Sequence, residues 1–166
     1  MILGGDLGGT KTLLALAEVI DGRIEIVRQP RYASRDFASF DDLLAEFLTG
    51  SESIGAACFG VAGPTDGRIA KLTYLPWQLT SGALEQKFAI GRVALINDFA
   101  AAAHGLPLVD DKDILTLHAG QPEPQAPRVI LGAGTGLGVA GLIWQNGHYQ
   151  VIPGEGGHFG FSPQTA

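Results

Sequence analysis

Short apolar runs that alternate with turn residues open the chain. They occupy residues 1–7, 12–20 and 23–33, and the pair Asp21-Gly22 separates the last two. Such runs are typical of β-strands, and an Asp-Gly pair between two of them favours a hairpin. The pattern therefore predicts three successive strands that form an antiparallel meander.

The hydrophobic spacing then changes to a helical period. In residues 39–50 the apolar side chains fall on one helical face, and Gly50 provides a helix end. This face consists of Phe40, Leu43, Leu44, Phe47 and Leu48. A second helix is predicted over residues 80–91, opened by Thr80 or Ser81 and closed by Gly91.

Strands are predicted on both sides of this second helix. Residues 53–63 form a buried apolar run, and residues 68–75 form a shorter strand after a turn. Residues 92–97 predict a strand that runs straight into an alanine-rich helix over residues 98–106. Strand and helix therefore meet at Asn97-Asp98.

The second half of the chain repeats the plan of its beginning. Residues 110–128 carry three prolines and predict a surface connection. Beyond it, the sequence predicts a strand, a glycine turn, a second strand and an Asn146-Gly147 hairpin into a third strand. We therefore expect an N-terminal lobe over 1–110, a connection over 111–128 and an incomplete second lobe over 129–166, which lacks the helices to cover its sheet. That exposed sheet predicts pairing with another copy of the chain.

The composition is that of a globular, acidic protein. Hydrophobic residues make up 46% of the 166 and charged residues 17%, which is ample material for a packed core. The net charge of −6 and the scattered positions of the eleven Lys and Arg exclude a basic face for DNA or RNA.

The location of the protein is predicted from its single cysteine and its lack of long apolar segments. Cys58 lies in an apolar run, so we expect a small buried hydrophobe without a disulfide. Residues 1–20 do not form a secretory signal, and no run approaches the ~18 apolar residues of a membrane helix. We therefore expect a cytoplasmic protein without membrane contact.

Two glycine-rich turns are candidates for phosphate binding. The stretch GDLGGTKT, residues 5–12, joins two predicted strands, as does GAGTGLG, residues 132–138. Glycines in such turns let backbone N–H groups point at an anion, and Asp6 beside the first turn then suggests a hydrated Mg²⁺. The second turn matches neither the dinucleotide nor the P-loop fingerprint. Ordinary tight hairpins are the alternative for both.

Polar residues at a strand end and in a late loop are candidates for catalysis and sugar binding. Asp98 stands where a strand gives way to a helix, so it either caps that helix or acts as a general base at the carboxyl end of the sheet. Glu155 and His158 lie in a glycine-rich loop, and together they offer the donor and acceptors that suit sugar hydroxyls.

Six stretches in order resemble the bacterial glucokinases of the hexokinase, actin and heat-shock-chaperone superfamily. They are GDLGGTKT, CFGVAGP, LTYLPW, LINDFAAAAHGL, GAGTGLGVA and PGEGGH, and they extend along the whole chain. The resemblance implies an α/β fold with a ribonuclease H-like, mixed-sheet lobe and the beginning of a second similar lobe. Members of the family are considerably longer, so we expect these residues to be an N-terminal portion.

The resemblance also implies the role of each motif in the transfer of phosphate from ATP to the 6-hydroxyl of glucose. Asp98 would take the hydroxyl proton, and Asn97, Asp98, Glu155 and His158 would hold the sugar. ATP and Mg²⁺ would bind at the two turns, whose residues are Gly5, Asp6, Leu7, Gly8, Gly9 and Thr10 in the first and Gly132, Gly134, Thr135 and Gly136 in the second. The family usually has Asn at the position of Tyr74. A sugar-sensing regulator or a non-catalytic sugar-binding fragment of the same fold is the alternative.

Overall fold

The computed structural model describes residues 1–48, 50, 53–134, 136–158 and 160. It divides the chain into two compact units, Met1–Asp98 and Phe99–Ala166. The helix that begins at Asp98 is thereby grouped almost entirely with the second unit. Among the described residues, no helix has the length and apolar character needed to cross a membrane.

The first unit is built on a six-stranded mixed sheet. The predicted meander is confirmed, with β1 (Ile2–Leu7) and β2 (Lys11–Ile20) antiparallel. The segment predicted as the third strand, residues 23–33, forms two strands instead of one. These are β3 (Arg23–Arg28) and β4 (Arg31–Ala33), and both pair with β2. The break between them falls at Pro30, which cannot donate to a β-ladder.

Two parallel strands complete this sheet on the other side of β1. The strand β5 (Ala56–Val61) pairs with β1, and β8 (Val93–Asn97) pairs with β5, which gives the order β3-β2-β1-β5-β8. Because β1, β5 and β8 run in the same direction, their carboxyl ends meet at one edge of the sheet. Asp6 and Asn97 lie at that edge.

The helix α1 (Phe40–Phe47) supplies a large part of the core of this unit. It begins after Ser39, whose hydroxyl oxygen accepts the N–H of Asp42 at 3.2 Å, a helix cap. The ring of Phe40 packs edge-on against Phe59 of β5, with 5.0 Å between ring centroids. The predicted apolar face is confirmed for Phe40, Leu43, Leu44 and Phe47, which are buried, whereas Leu48 is the half-buried C-cap. The predicted end at Gly50 is wrong, because the backbone leaves the helical conformation at Leu48.

The prediction for Cys58 is wrong, because its side chain is exposed. Along β5, Ala57 and Phe59 point to the buried face of the sheet, so Cys58 points to the opposite face. There it lines a groove of about 410 Å³ whose other lining residues include Ile2, Gly4 and Ala94. An apolar run therefore did not distinguish the two faces of this strand.

The second helix, α2 (Ser81–Phe88), begins where predicted but ends earlier. Its C-cap is Ala89 in the left-handed conformation, with φ of 51°. Gly91 has a different role, because an added Cβ would lie 2.5 Å from the carbonyl oxygen of Gly55. The glycine thus permits a close approach of two backbone segments.

A small two-stranded sheet precedes α2. The predicted strand over 68–75 is confirmed only in β6 (Ile69–Lys71), which pairs with β7 (Gln78–Thr80). The strand β7 was not predicted from the sequence. The segment between these strands contains Tyr74 and ends at the buried Trp77.

The second unit has the predicted antiparallel plan. After the helix α3 (Asp98–Gly105), the chain forms β9 (Arg128–Ala133), β10 (Leu137–Gln145) and β11 (His148–Gly154). The strand order is β11-β10-β9, all antiparallel. The two residues of the predicted hairpin, Asn146-Gly147, both have positive φ, 53° and 84°, which confirms it.

The core of the second unit is small. It contains Ala103 of α3 together with Ala140 and Leu142 of β10, all buried. Phe99, near the start of α3, packs against this core with Ile130. Ala103 and Phe99 thus connect the helix to the antiparallel sheet.

Candidate active site

The first glycine turn, residues 8–10, joins β1 to β2 at the carboxyl end of β1. The N–H of Gly8 donates to the carbonyl oxygen of Lys11 at 3.0 Å, which closes the turn. The hydroxyl of Ser34 donates to the carbonyl oxygen of Gly8 at 2.8 Å, and the N–H of Ser34 donates to the carbonyl oxygen of Thr10 at 3.0 Å. The turn is therefore held by one buried serine.

Two glycines of this motif have packing reasons to lack a side chain. A Cβ on Gly5 would lie 2.7 Å from the ring of Phe59 and 2.9 Å from a methyl group of Leu14. A Cβ on Gly9 would lie 2.7 Å from the Cβ of Tyr74. The segment that contains Tyr74 therefore packs directly against the turn. The predicted approach of phosphate to the backbone of this turn stays a prediction.

Asp6 and Asp98 interact at the carboxyl edge of the sheet. Asp6 pairs with Gly60 of β5, and Asp98 directly follows β8, which is the next strand. The pKa of Asp6 is raised, first by partial removal of its carboxylate from water and then by the negative charge of Asp98. The structure thus brings together two acids that the sequence places 92 residues apart.

Asn97 and Asp98 stand at the junction of a strand and a helix. Asn97 is the last residue of β8 and Asp98 the first of α3, as predicted. Both residues are half-buried. Backbone N–H groups in the first turn of a helix lack intrahelical partners, so a carboxylate is favoured at this position.

The second glycine turn belongs to the second unit. The N–H of Gly134 donates to the carbonyl oxygen of Gly136 at 2.8 Å, and Thr135 lies outside the described residues. A Cβ on Gly132 would lie 2.6 Å from the ring of Phe99, whereas one on Gly134 or Gly136 would meet open space. Gly132 therefore serves packing, and the other two glycines leave room for a ligand beside the backbone.

The loop with Glu155 and His158 lies against the start of β10 in this second unit. Glu155 is exposed and follows β11, and Gly156–His158 form a short 3₁₀ turn. A Cβ on Gly156 would contact Val139 at 3.3 Å, and one on Gly157 would overlap the carbonyl of Leu137. The loop thus lies next to the strand that leaves the second glycine turn. The side chain of His158 is outside the described part of the structure.

Comparisons with known proteins agree with these motifs. The family model described as Glucokinase matches residues 3–166. The chain belongs to the glucokinase family. A glucokinase of a Nostoc species is 42% identical over 169 residues, which cover 99% of this chain, and that of Yersinia enterocolitica is 34% identical over 164 residues, which cover 98%.

Solved glucokinase structures share the fold of this glucokinase-family chain. A glucokinase from an Antarctic psychrotroph matches 99% of the chain with a TM-score of 0.80 and 30% identity. A glucokinase from Balamuthia mandrillaris, solved in complex with glucose, matches 98% with a TM-score of 0.71 and 27% identity. The predicted α/β class is confirmed. The chain spans 49% of the length of the Nostoc relative, 52% of the psychrotroph chain and 49% of the Balamuthia chain.

Two residues that support the first turn of this glucokinase-family chain, Thr12 and Ser34, were not predicted from the sequence. Both are fully buried, and their hydroxyl oxygens are 3.0 Å apart beneath the first turn. Thr12 falls inside the quoted motif, but Ser34 is 26 residues from Gly8 and belongs to no motif. Only the pairing of β4 with β2 brings it to the turn.

Proposed function

We propose that this chain is the part of a glucokinase that positions ATP and glucose for phosphoryl transfer to the sugar 6-hydroxyl. The observation that carries the proposal is the interaction of Asp6 with Asp98 at the carboxyl edge of a parallel sheet, beside the first glycine turn. Open α/β sheets bind their ligands beyond the carboxyl ends of their strands. Membership of the glucokinase family and the glucose complex of a relative support the choice of substrates.

Asp98 is the proposed general base. Its carboxylate accepts the proton of the 6-hydroxyl as that oxygen forms a bond to the γ-phosphorus of ATP. The bond from this phosphorus to the bridging oxygen breaks, and ADP leaves. General-base catalysis contributes typically ~10²–10⁴-fold to the rate.

The two glycine turns are the proposed phosphate-binding segments. Phosphoryl transfer depends on alignment and on stabilisation of charge, and backbone N–H groups supply both without adding side-chain bulk. In the first turn the residues are Gly5 to Thr10, and in the second they are Gly132, Gly134, Thr135 and Gly136. Asn97, Asp98, Glu155 and His158 are the proposed sugar ligands.

The residues at the sheet edge fit a magnesium ion. Mg²⁺ prefers oxygen ligands and retains several waters, and the negative charge of Asp98 disfavours ionisation of Asp6 when no cation lies near them. Asp6 would hold the ion through water. Bound there, Mg²⁺ would neutralise charge on the phosphates of ATP.

The proposed setting is glycolysis in the cytoplasm. The acidic net charge of −6 supports a protein that does not bind nucleic acid. Pairing with a second copy through the antiparallel sheet of the second unit stays a prediction.

The proposed function is tested by glucose-dependent release of ADP. The measurement uses a polypeptide of the relatives' length that carries these 166 residues. Asp98→Asn should retain the fold and lose about 10²-fold or more in turnover. Asp110→Asn, an exposed acid after α3, is the matched control and should turn over like the wild type. Equal rates for both variants would remove Asp98 from the mechanism.

A sugar-binding module without catalysis differs in the same assay. It would bind glucose in a calorimeter and release no ADP above background. That result would replace the kinase proposal with the sugar-binding alternative.

A further inference from the structure

A chain of two buried hydroxyl groups lies beneath the first glycine turn. The hydroxyl of Ser34 lies 2.8 Å from the carbonyl oxygen of Gly8, to which it donates. Because serine carries a single hydroxyl proton, the 3.0 Å contact with Thr12 must be a donation from Thr12 to Ser34. The direction of the hydrogen bonds is therefore Thr12 to Ser34 to Gly8.

This chain fixes the orientation of the peptide between Gly8 and Gly9. In a trans peptide the carbonyl and the N–H of the next residue point in opposite directions, and the described residues contain no cis peptide. A Gly8 carbonyl directed at Ser34 leaves the N–H of Gly9 directed away from it. Among the described residues, this N–H has no acceptor.

We propose that Ser34 and Thr12 are positioning residues that hold the Gly9 N–H outward for an anion. The inference rests on the proposed function, in which the anion is a phosphate group of the nucleotide. Glycine-rich turns can rotate their peptide planes at low cost, because no Cβ resists the change. A fully buried hydroxyl chain removes this freedom before the ligand arrives, and preorganised donors bind more tightly than mobile ones.

A purely structural role would have a different signature. Ser34 is fully buried, so removal of its hydroxyl would lower stability even without an effect on anion binding. In that case every variant with a lower free energy of unfolding would also bind phosphate more weakly, wherever its substitution lies. Ser39→Ala removes the cap of α1 and provides such a variant away from the turn.

The experiment is an NMR titration of the same longer polypeptide, labelled with ¹⁵N, with ATP–Mg²⁺ and, separately, with inorganic tripolyphosphate. Both probes should shift the Gly9 amide signal in the wild type. Ser34→Ala and Thr12→Val should raise Kd about fivefold to tenfold, the change expected for one hydrogen bond. Thr12→Ser keeps the hydroxyl and should bind like the wild type, as should Ser39→Ala.

Three outcomes would overturn the inference. The first is a Gly9 signal that neither probe moves. The second is wild-type affinity for the probes in both Ser34→Ala and Thr12→Val. The third is a rise in Kd for Ser39→Ala as large as that for Ser34→Ala. If Ser34→Ala does not fold, the comparison of Thr12→Val with Thr12→Ser decides. Failure of the proposed function is a separate result, namely no ADP release by the longer polypeptide while tripolyphosphate still moves Gly9.

Discussion

Asp6 titrates in the electrostatic field of Asp98. Partial removal from water raises the pKa of Asp6, and the negative charge of Asp98 raises it further. The two acids are held at one sheet edge, where Asp6 is the second-to-last residue of β1 and Asp98 directly follows β8. Such an arrangement is typical of sites that bind a cation or move a proton.

Asp98→Asn should lower the pKa of Asp6 part of the way toward its ordinary value. The substitution removes the charge of Asp98 but leaves the desolvation of Asp6, which is the larger cause. A carboxyl ¹³C titration of the two proteins measures the change. Asp21→Asn, in the hairpin at the opposite end of β2, is the control and should leave the titration of Asp6 unaltered. An unchanged Asp6 in Asp98→Asn would show that the two acids do not interact.

Asp6→Asn should raise the melting temperature at neutral pH and not at about pH 3. The folded state binds the Asp6 proton more tightly than the unfolded state, so ionisation of Asp6 destabilises the fold. This destabilisation is absent below the pKa of Asp6 in the unfolded state. It is complete once the pH exceeds the raised pKa of Asp6 in the folded state. Thermal unfolding across this pH range is the measurement. A constant difference between the proteins at all pH values would contradict it.

Gly132→Ala should destabilise the second unit by about 1–3 kcal/mol. The new methyl group would lie 2.6 Å from the ring of Phe99, which packs against the small core of this unit, so the ring or the turn must shift. Gly136→Ala is the matched control, because its Cβ would meet open space. Chemical denaturation of both variants provides the comparison. Equal stabilities would mean that Phe99 does not confine this turn.

Cys58 should react with a thiol reagent in the folded protein. Its side chain is exposed, but partial desolvation raises the pKa of the thiol. The rate should therefore be slow at neutral pH and should rise into the alkaline range, since the thiolate is the reactive form. Absorbance of the released chromophore measures the rate, and Cys58→Ser sets the background. Reaction only after denaturation would contradict the exposed position.

The sequence predicted most elements of the fold because local signals were strong. The Asp21-Gly22 and Asn146-Gly147 pairs located both hairpins, and the spacing of apolar residues after Ser39 located α1. The predictions that failed concern features that depend on tertiary packing. The apolar run around Cys58 did not reveal which side of β5 faces the core, and β7 has only three residues, too few for a periodic pattern.

The sequence predicted the motifs of the candidate site. It did not predict the residues that pack against those motifs and hold them in place. The glycine turn and the Asn97-Asp98 junction could be identified because each motif is contiguous in sequence. The contacts of Ser34 with Gly8 and of Tyr74 with Gly9 depend on how distant segments pack. No spacing rule relates them, so only the folded structure could reveal them.

The long strand β2 separates two ends of the first sheet that tolerate change differently. At one end, the turn of residues 8–10 is tied to Ser34, so a change of length there would break its hydrogen bonds. The Asp21-Gly22 hairpin lies at the opposite end, about 30 Å away for a strand of ten residues. An epitope tag or a fluorescent reporter inserted at that hairpin would therefore leave the turn of residues 8–10 undisturbed.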